Sequence, residues 1–588
     1  MAFQDSLSSP LVSNLQRTHL LQQVRSRLFA PVDVAVLVYF RLAFAGIMLW
    51  EVWRYTTLGR IERYFIRPDF HFTYWGFDWV KPLPGDGMYI LFLLLAVFAA
   101  CIGLGLFYRL SALLFFLGFT YMFLLEQAIY LNHFYLVCII SFLMIILPAH
   151  RQFSLDALRR SAFRSDTVPA WTLWLLRLQI GLVYFFGGVA KLNGDWLQGE
   201  PMRMWLASRM DFPVIGQFFT QEWMVAIFTY GGLLFDLLFF PFVLWKPTRW
   251  FALFVAAAFH LTNARLFNIG IFPWFMLAAN LIFITPDWPR RLFRLPVVSL
   301  EFHDRVPTSR RQWIVISALG IYFLIQILIP LRHHLYPTNV HWSEEGHRFS
   351  WRMKLRDKSG STTFFVTDPH TATTWSVDPE TYLTYWQADE MNGRPDMILQ
   401  FSHYLAEQER LRGHQQVEVR AWVPVSLNGR PHQLLVDPSV DLASQPRTIL
   451  ASPWILPLYE PLVPDSSTAD YTLLITRHER NYLFVLNLTN HILPLAPLRL
   501  GEGTSAVEGQ SWLIPNLESE SCVSNRLEGY NHPTPVVCNT AVERLFHETA
   551  HNFADQPFDV YYDDQWLGEC EGKTCLIRLP ARLVERGT

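Results

Sequence analysis

The sequence predicts a polytopic α-helical membrane bundle of about nine spans in residues 1–331, followed by a mainly β extracytoplasmic domain in residues 332–588. The first reason is composition: of 588 residues, 51% are hydrophobic and only 17% are charged, more apolar than a soluble chain of this length. The second is order along the chain. Long apolar stretches fill the first 331 residues, and the alternating apolar and polar residues typical of strands come after them.

Each predicted span is a stretch of roughly 20 apolar residues with few charges, the length at which a helix crosses a bilayer. The spans are residues 33–54, 87–107, 110–128, 130–148, 170–190, 222–245, 249–267, 268–285 and 312–331. Arg41 and Glu51 interrupt the first span and no small-residue cleavage site follows it, so it is not a cleavable signal sequence. We expect it to remain in the mature chain.

The distribution of basic residues predicts the orientation of the bundle. With the N-terminus in the cytoplasm, the inner loops hold more Lys and Arg than the outer loops, as the positive-inside rule requires. An odd number of spans then places the C-terminal domain on the far side, which is the periplasm of a bacterium or the lumen of the endoplasmic reticulum. The outer loop at 55–86 is basic too, and its Trp75 and Trp79 suggest a structured piece at the interface.

The cysteines give an independent indication of the same topology. Cys101 and Cys138 fall inside predicted spans and are expected to be small buried apolar residues. The other four all fall in the predicted exported domain: Cys522, Cys538, Cys570 and Cys575. An even number of cysteines in an oxidising compartment indicates disulfides, of which 522–538 with 570–575 is the simplest of three pairings. Zinc binding is the weaker interpretation, because no second ligand pair lies nearby.

Patterns in the C-terminal domain predict strands with one helix between them. Apolar and polar residues alternate at 349–355 and again at 417–423, and the dipeptide Asn428-Gly429 predicts a hairpin turn. Residues 397–405 have apolar side chains at helical spacing, and Gly413 is a plausible end of that helix. Nucleotide-binding glycine loops and the HExxH metalloprotease motif do not occur, and the net charge of -2 offers no basic surface to a nucleic acid.

Polar residues within the spans are the candidates for function, because ionisable groups at membrane depth are costly. On the predicted topology the following residues all lie towards the outer side and are expected to line one polar pocket: Asn132, His133, Lys191, His260, Asn263, His333 and His334. A structural interpretation is open for each. The lysine can extend to the interface, and the histidines can be hydrogen-bonded core residues. Arg41, Glu51, Arg177 and Asp236 are expected to pair as structural ions inside the bundle.

The sequences around these residues resemble the vitamin K-dependent gamma-carboxylase family. Residues 184–196, Tyr-Phe-Phe-Gly-Gly-Val-Ala-Lys-Leu-Asn-Gly-Asp-Trp, resemble the signature that carries the family's essential lysine. Residues 259–272 resemble its histidine-asparagine helix, 287–290 the element after it, 132–135 its Asn-His site, and 349–351 and 426–438 parts of its lumenal domain. The resemblance covers about residues 33–440. Animal members have a lysine pair where this chain has Ala190-Lys191, so only the second lysine is present.

The resemblance implies an enzyme that couples two reactions. Vitamin K hydroquinone is deprotonated and reacts with O2 to give an epoxide, and the strong base generated removes a γ-proton from a glutamyl residue, to which CO2 adds. Lys191 is the expected base, since burial in an apolar pocket disfavours the charged amine, and Asn132 and His133 are expected to hydrogen-bond the quinone oxygens. The expected substrate-binding residues are Tyr184, His260, Phe272, Met276, His334, Trp351 and Met353. Helix and strand packing is the open alternative for the apolar ones.

The family also implies what the enzyme works with. The expected partners are a glutamyl-containing peptide or protein, a quinone-reducing enzyme and the lipid bilayer, with no metal and no nucleic acid. Three alternatives stay open on the sequence. One is a quinol epoxidase that lacks protein carboxylation, and another is a non-catalytic receptor or transporter for a lipid or peptide. The third is another lipid-modifying enzyme built on the same bundle.

Overall fold

The computed structural model describes residues 22–267, 269–298, 309–414 and 416–462, and beyond these only the backbone of the strands between 471 and 579. The described residues fall into two compact units that interleave along the chain. The first unit holds residues 22–67, 77–332 and 348–353. The second holds residues 68–76, 333–347 and those from 354 onwards.

The first unit is a helical bundle whose helices coincide with the predicted spans. These helices are α1 (Ala35–Thr57), α2 (Gly87–Leu104), α3 (Tyr108–Leu125), α4 (Asn132–Ile146), α5 (Ala170–Ala190), α6 (Glu222–Leu244), α7 (Arg249–Phe267), α8 (Phe272–Asn280) and α9 (Arg310–Leu331). Within the described ranges, seven are long and apolar enough to cross a membrane, while α4 and α8 are shorter. The prediction of a polytopic membrane bundle is therefore confirmed.

Short elements connect the helices of the bundle. They are the helices Leu155–Arg159, Gly194–Leu197, Met202–Ala207 and Trp288–Leu292, and a π-helical turn at Glu62–Ile66. The strand β1 (Pro31–Asp33) pairs antiparallel with β2 (Thr167–Pro169), directly before α1 and α5. The π-helical turn lies in the first outer loop, residues 55–86, which therefore contains regular structure. This agrees with the structured piece suggested by Trp75 and Trp79.

Two glycines of α5 allow it to pack closely against α6. A Cβ atom added at Gly181 would lie 2.4 Å from the ring of Phe240, and one at Gly188 would lie 2.7 Å from the side chain of Leu237 and 2.9 Å from its backbone nitrogen. Small residues at such positions are how membrane helices approach each other. The close approach holds the C-terminal half of α5 against α6, where the candidate site lies.

The four residues expected to pair as structural ions, Arg41, Glu51, Arg177 and Asp236, do not pair with one another. Glu51 forms an ion pair one turn along its own helix, at 2.6 Å, and Asp236 pairs with Lys191. Arg41 and Arg177 instead donate to backbone carbonyl oxygens of neighbouring segments. Carbonyl oxygens at helix ends and in loops have no intrahelical partner, so a buried arginine satisfies them while its own charge is solvated.

The second unit combines helices with small sheets. Its strands are β3 (Lys358–Gly360), β4 (Thr363–Asp368), β5 (Thr373–Val377), β6 (Glu418–Trp422), β7 (Pro424–Leu427) and β8 (Gln433–Leu434), followed by β9 (Tyr471–Arg477), β10 (Leu483–Asn487), β11 (Leu498–Leu500), β12 (Trp512–Ile514), β13 (Phe558–Tyr562), β14 (Gln565–Cys570) and β15 (Thr574–Leu579). In the described part of the chain the sheet orders are β3-β7-β8, β5-β4-β6, β12-β10-β9-β15 and β11-β13-β14, antiparallel except for the parallel pair β10–β12. The principal helix is α10 (Pro395–Leu411).

Three local predictions for this unit are confirmed. The alternation at 417–423 corresponds to β6, and the helical spacing after residue 395 corresponds to α10. Gly413 follows α10 with a φ of +106°, a left-handed conformation that favours glycine. Asn428 and Gly429 both have positive φ, 54° and 80°, and turn the chain between β7 and β8, as expected for an Asn-Gly hairpin.

The predicted strand at 349–355 is wrong. Phe349, Trp351 and Lys354 have positive φ values of 63°, 56° and 49°, so the backbone turns repeatedly instead of extending. Residues 348–353 belong to the helical unit, where the buried ring of Trp351 packs on that of Tyr135 with centroids 5.0 Å apart. The apolar residues alternate because they pack onto the bundle, and period-2 alternation alone does not distinguish this from a strand.

A buried ionic cluster stabilises the second unit. Arg356 donates to both carboxylate oxygens of Glu344, at 2.5 and 2.6 Å, and the amine of Lys358 lies 3.5 Å from the same carboxylate. Burial raises the pKa of Glu344, but the charges of Arg356, His347 and Lys358 outweigh burial and hold that pKa well below its usual range. Burial also lowers the pKa of Lys358 to about 7, against the raising effect of Glu344.

Of the six cysteines, two lie where the structure describes side chains and four do not. Cys138 is buried and Cys101 is half-buried, both as free thiols within the bundle. Cys522 and Cys538 lie outside the described residues. Cys570 ends β14 and Cys575 lies in β15, two strands whose backbone alone is described. The disulfides therefore stay predictions.

Candidate functional site

Lys191 lies inside the bundle, directly after the last residue of α5. Its side chain is 8% exposed, and Nζ donates to Oδ2 of Asp236 at 2.5 Å and to the carbonyl oxygen of Gly187 at 3.2 Å. The amine also lies 5.4 Å from the centre of the Trp196 ring. These partners come from α5, from α6 and from the short helix after α5. They hold the amine away from solvent, whereas a lysine that extends to the interface would be exposed.

The Lys191–Asp236 pair has one proton to share between an amine and a carboxylate. The proton lies either on the amine, as an ion pair, or on Asp236, as a neutral amine beside a carboxylic acid. Both side chains are buried, at 8% and 7% exposure, so the contact is shielded from solvent. The pair thus places an amine and a carboxylate within one hydrogen bond of each other inside the bundle.

Tyr184 precedes Lys191 by two turns of α5 and joins three helices. Its hydroxyl lies 2.7 Å from Nε2 of His260 on α7 and accepts from Nδ2 of Asn280, the last residue of α8, at 2.8 Å. Its ring packs on that of Phe239, with centroids 4.1 Å apart. The other ring nitrogen of His260, Nδ1, is buried and has no hydrogen-bond partner among the described residues. Buried polar atoms of this kind are rare and are expected to meet a ligand or an ordered water.

Phe272 links His260 to the start of α4. Its ring lies 6.0 Å from the ring of His260 and 5.9 Å from that of His133. Met276 follows one turn later on α8 and is fully buried. The structure thus brings together His133, Tyr184, His260 and Phe272, which the sequence places on four different helices.

Asn132 holds the segment 348–353 against the bundle. Its Nδ2 donates to the carbonyl oxygen of Arg352 at 2.9 Å, and its Oδ1 accepts from the hydroxyl of Tyr130 at 3.0 Å. The same segment places Met353 beside Gly187: a Cβ added at that glycine would lie 3.5 Å from the methyl group of Met353 and 3.3 Å from Oδ2 of Asp236. Asn132 therefore positions the chain that borders the Lys191–Asp236 pair.

His334 lies in the second unit, in the 3-10 turn Arg332–Leu335, and its ring packs on that of His333 with centroids 4.0 Å apart. Its contribution to the site stays a prediction.

Three residues contribute to the site but were not predicted from the sequence to act as the base or to bind the substrate. Asp236 was visible as an acid deep in the apolar α6, but its partner is 45 residues away in sequence. Asn280, an amide in an otherwise apolar helix, gave a similar signal, because an unpaired amide at membrane depth is costly. Trp196 ends the motif at 184–196 but was not singled out within it, since an aromatic residue at a helix end is common in membrane proteins.

Two family models match the chain, and together they cover most of the described residues. The HTTM domain model matches residues 29–288, which contain the helices α1–α8 and with them the Lys191–Asp236 pair and the Tyr184–His260–Asn280 network. The model described as the vitamin K-dependent gamma-carboxylase, lumenal domain, matches residues 311–461, which include the segment 348–353. No solved structure matches the chain. This multi-pass membrane protein belongs to the vitamin K-dependent gamma-carboxylase family.

Proposed function

We propose that this protein is a vitamin K hydroquinone-dependent gamma-glutamyl carboxylase and epoxidase in which Lys191 is the base. The observation that carries the proposal is the buried contact of 2.5 Å between Lys191 and Asp236, in a chain that matches the HTTM domain model and the model of the vitamin K-dependent gamma-carboxylase lumenal domain. When bound, the hydroquinone supplies a weakly acidic phenolic hydroxyl and, with O2, the oxidising chemistry that yields its epoxide and the strong base for γ-proton removal.

The residues of the site fit a hydroquinone in three respects. A buried amine is hydrogen-bonded to a buried carboxylate, and a buried histidine nitrogen has no partner among the described residues. Aromatic side chains lie beside both, Trp196 by the amine and Phe272 by the histidine. Ligand sites of this kind combine apolar walls with a few oriented polar groups. Phe272, Met276, Trp351 and Met353 supply the apolar surface for the ring and its isoprenoid chain.

Lys191 removes the proton in this proposal. When the shared proton lies on Asp236, the amine of Lys191 accepts the phenolic proton at Nζ, so one O–H bond breaks and one N–H bond forms. The resulting ammonium keeps its contacts with the carbonyl oxygen of Gly187 and with the face of the Trp196 ring, and both stabilise its charge. A hydroxyl with a pKa of about 10 needs a base held in this way near neutral pH.

His260 orients the oxygens of the hydroquinone. Asn280 donates to the Tyr184 hydroxyl, which can then donate its own hydrogen to Nε2 of His260. A neutral imidazole that accepts at Nε2 carries its hydrogen on Nδ1. His260 thereby presents an N–H donor that stabilises developing negative charge on oxygen, and His133 provides a second ring nitrogen beside Phe272.

The remaining features of the proposal follow the family resemblance and, for the orientation and the disulfides, the distribution of basic residues and cysteines in the sequence. The glutamyl substrate is a peptide or protein, CO2 adds to its γ-carbon, and a separate quinone-reducing enzyme regenerates the hydroquinone. The N-terminus is cytoplasmic and the C-terminal domain is periplasmic or lumenal, where its four cysteines form disulfides.

Turnover of the purified protein tests the proposal. In detergent under O2, with vitamin K hydroquinone, a Glu-containing peptide and labelled bicarbonate, we expect epoxide and labelled peptide. Both are lost in Lys191→Ala and kept in Lys246→Ala, a matched control at an exposed lysine of the same unit. Epoxide without label would indicate a quinol epoxidase without protein carboxylation. A folded wild type that forms no epoxide would contradict the proposal and favour a lipid or peptide receptor or transporter.

A further inference from the structure

A cavity of about 520 Å³ at the other end of the bundle is lined by a cluster of arginines. They are Arg109, Arg151, Arg159, Arg160 and Arg164. The cavity also contains Ser165, five residues before α5 begins. Because α5 runs for 21 residues, or about 30 Å at 1.5 Å per residue, the cavity is separated from Lys191 by the length of the bundle. It is therefore distinct from the candidate active site.

The positive charge of this cavity is not neutralised within it. Asp156 is the single acidic residue in its lining, and its carboxylate accepts from the backbone N–H groups of Phe107 and Tyr108 at 3.0 and 2.9 Å. Among the ion pairs of the described residues, none involves these five arginines. Two of them lie over aromatic rings, Arg159 at 4.5 Å from the centre of the Phe107 ring, a contact that orients a guanidinium group but leaves its charge.

Two buried polar atoms in the lining have no hydrogen-bond partner in the described part of the chain. They are the hydroxyl of Tyr108, which is fully buried, and Nδ1 of His150, whose side chain is almost as buried. Their rings stack with centroids 5.0 Å apart. Folded proteins rarely leave such atoms without a partner. A ligand with several acceptor oxygens would satisfy both atoms and the arginines together.

Exposed apolar side chains surround the arginines. Phe107, Leu110 and Phe153 are each more than half exposed, and Leu158 is 81% exposed. Basic residues mixed with exposed aromatic and aliphatic ones, at the ends of membrane-spanning helices, are typical of the interface between lipid headgroups and acyl chains. A small soluble anion would make no contact with this apolar surface, whereas the acyl chains of a lipid would.

We propose that this cavity binds the phosphate of an anionic phospholipid headgroup. Guanidinium groups bind phosphate oxygens through charge-assisted, often bidentate hydrogen bonds. The hydroxyl of Tyr108 and the ring of His150 complete the contacts, and the exposed apolar side chains lie along the acyl chains. On the predicted orientation this end faces the cytoplasm, whose membrane leaflet is rich in anionic lipid. The site is independent of the proposed carboxylase activity.

Titration of the full-length protein in detergent tests this proposal. The probes are dihexanoyl phosphatidylglycerol, dihexanoyl phosphatidylcholine and inorganic phosphate, with the thermal midpoint as readout. We expect phosphatidylglycerol to raise the midpoint of the wild type and the other two to leave it unchanged. In a variant with Arg151→Gln, Arg160→Gln and Arg164→Gln, the phosphatidylglycerol affinity is expected to fall at least about tenfold.

A matched variant separates the cavity from general surface charge. Arg294→Gln, Arg310→Gln and Arg311→Gln remove the same number of positive charges from the same predicted side and are expected to leave the affinity unchanged. Tyr108→Phe is expected to leave the midpoint without lipid unchanged, because its hydroxyl has no partner in the described structure, and to weaken phosphatidylglycerol binding. Equal responses to the two lipids, equal losses in both triple variants, or full replacement by inorganic phosphate would overturn the proposal.

Discussion

Replacement of one residue of the buried Lys191–Asp236 pair leaves the other without its partner. Lys191 and Asp236 are 8% and 7% exposed, and their contact is 2.5 Å long. Loss of one partner of a buried ion pair costs about 3–5 kcal/mol, whereas replacement of both by apolar residues of similar volume is often neutral. We therefore predict that Lys191→Met and Asp236→Leu each lower stability by that amount, and that the double variant recovers most of it.

Thermal unfolding in detergent measures this cycle, with reaction of the buried Cys138 with a thiol-reactive dye as readout. At roughly 2 °C per kcal/mol for a large domain, each single variant is expected to unfold about 6–10 °C below the wild type. Glu222→Gln, which removes one partner of an exposed ion pair with Arg203, is the control and should change little. Single variants that unfold at the same temperature as this control would contradict the prediction. So would a double variant whose thermal midpoint falls by the sum of the two single decreases.

Two further predictions concern the network around Tyr184 and the second unit. Tyr184→Phe leaves His260 and Asn280 without their shared partner, so we expect a loss of about 1–3 kcal/mol and a higher KM for the hydroquinone; an unchanged KM with normal stability would contradict this. Glu344 has a pKa below its unfolded value, so its stabilising contribution is present above about pH 4.5 and is lost as the pH falls through the folded-state pKa. Glu344→Gln is expected to flatten that acid dependence of the thermal midpoint and, because Arg356 then lacks its charged partner, to lower the midpoint at pH 7; an unchanged slope would contradict it.

The helical half of the fold could be predicted because the bilayer imposes a length and an apolar composition on each span. This constraint is local, so it locates α1 to α9 within a few residues. It does not reveal that 348–353 packs with the bundle or that 68–76 belongs to the second unit, because the burial of those short segments depends on distant contacts. Positive φ at Trp351 was likewise invisible, since a tryptophan rarely adopts it.

The candidate site was predictable residue by residue but not as an arrangement. Lys191, His260 and Tyr184 could be selected because polar groups in apolar helices are costly and the flanking sequences resemble a family. The link from Tyr184 to His260 spans 76 residues and that from Lys191 to Asp236 spans 45. Both depend on how the helices pack, including the close approach at Gly188, and neither pattern nor composition determines that packing.

The most direct test of Lys191 as the base is epoxide formation by Lys191→Arg. Arginine keeps a positive charge that can pair with Asp236, but its guanidinium group is not deprotonated in proteins. If an unprotonated amine removes the phenolic proton, this variant folds with a thermal midpoint near that of the wild type and forms no epoxide from vitamin K hydroquinone. Epoxide formation at the wild-type rate would show that a cation is sufficient at this position and would contradict the role of Lys191 as a base.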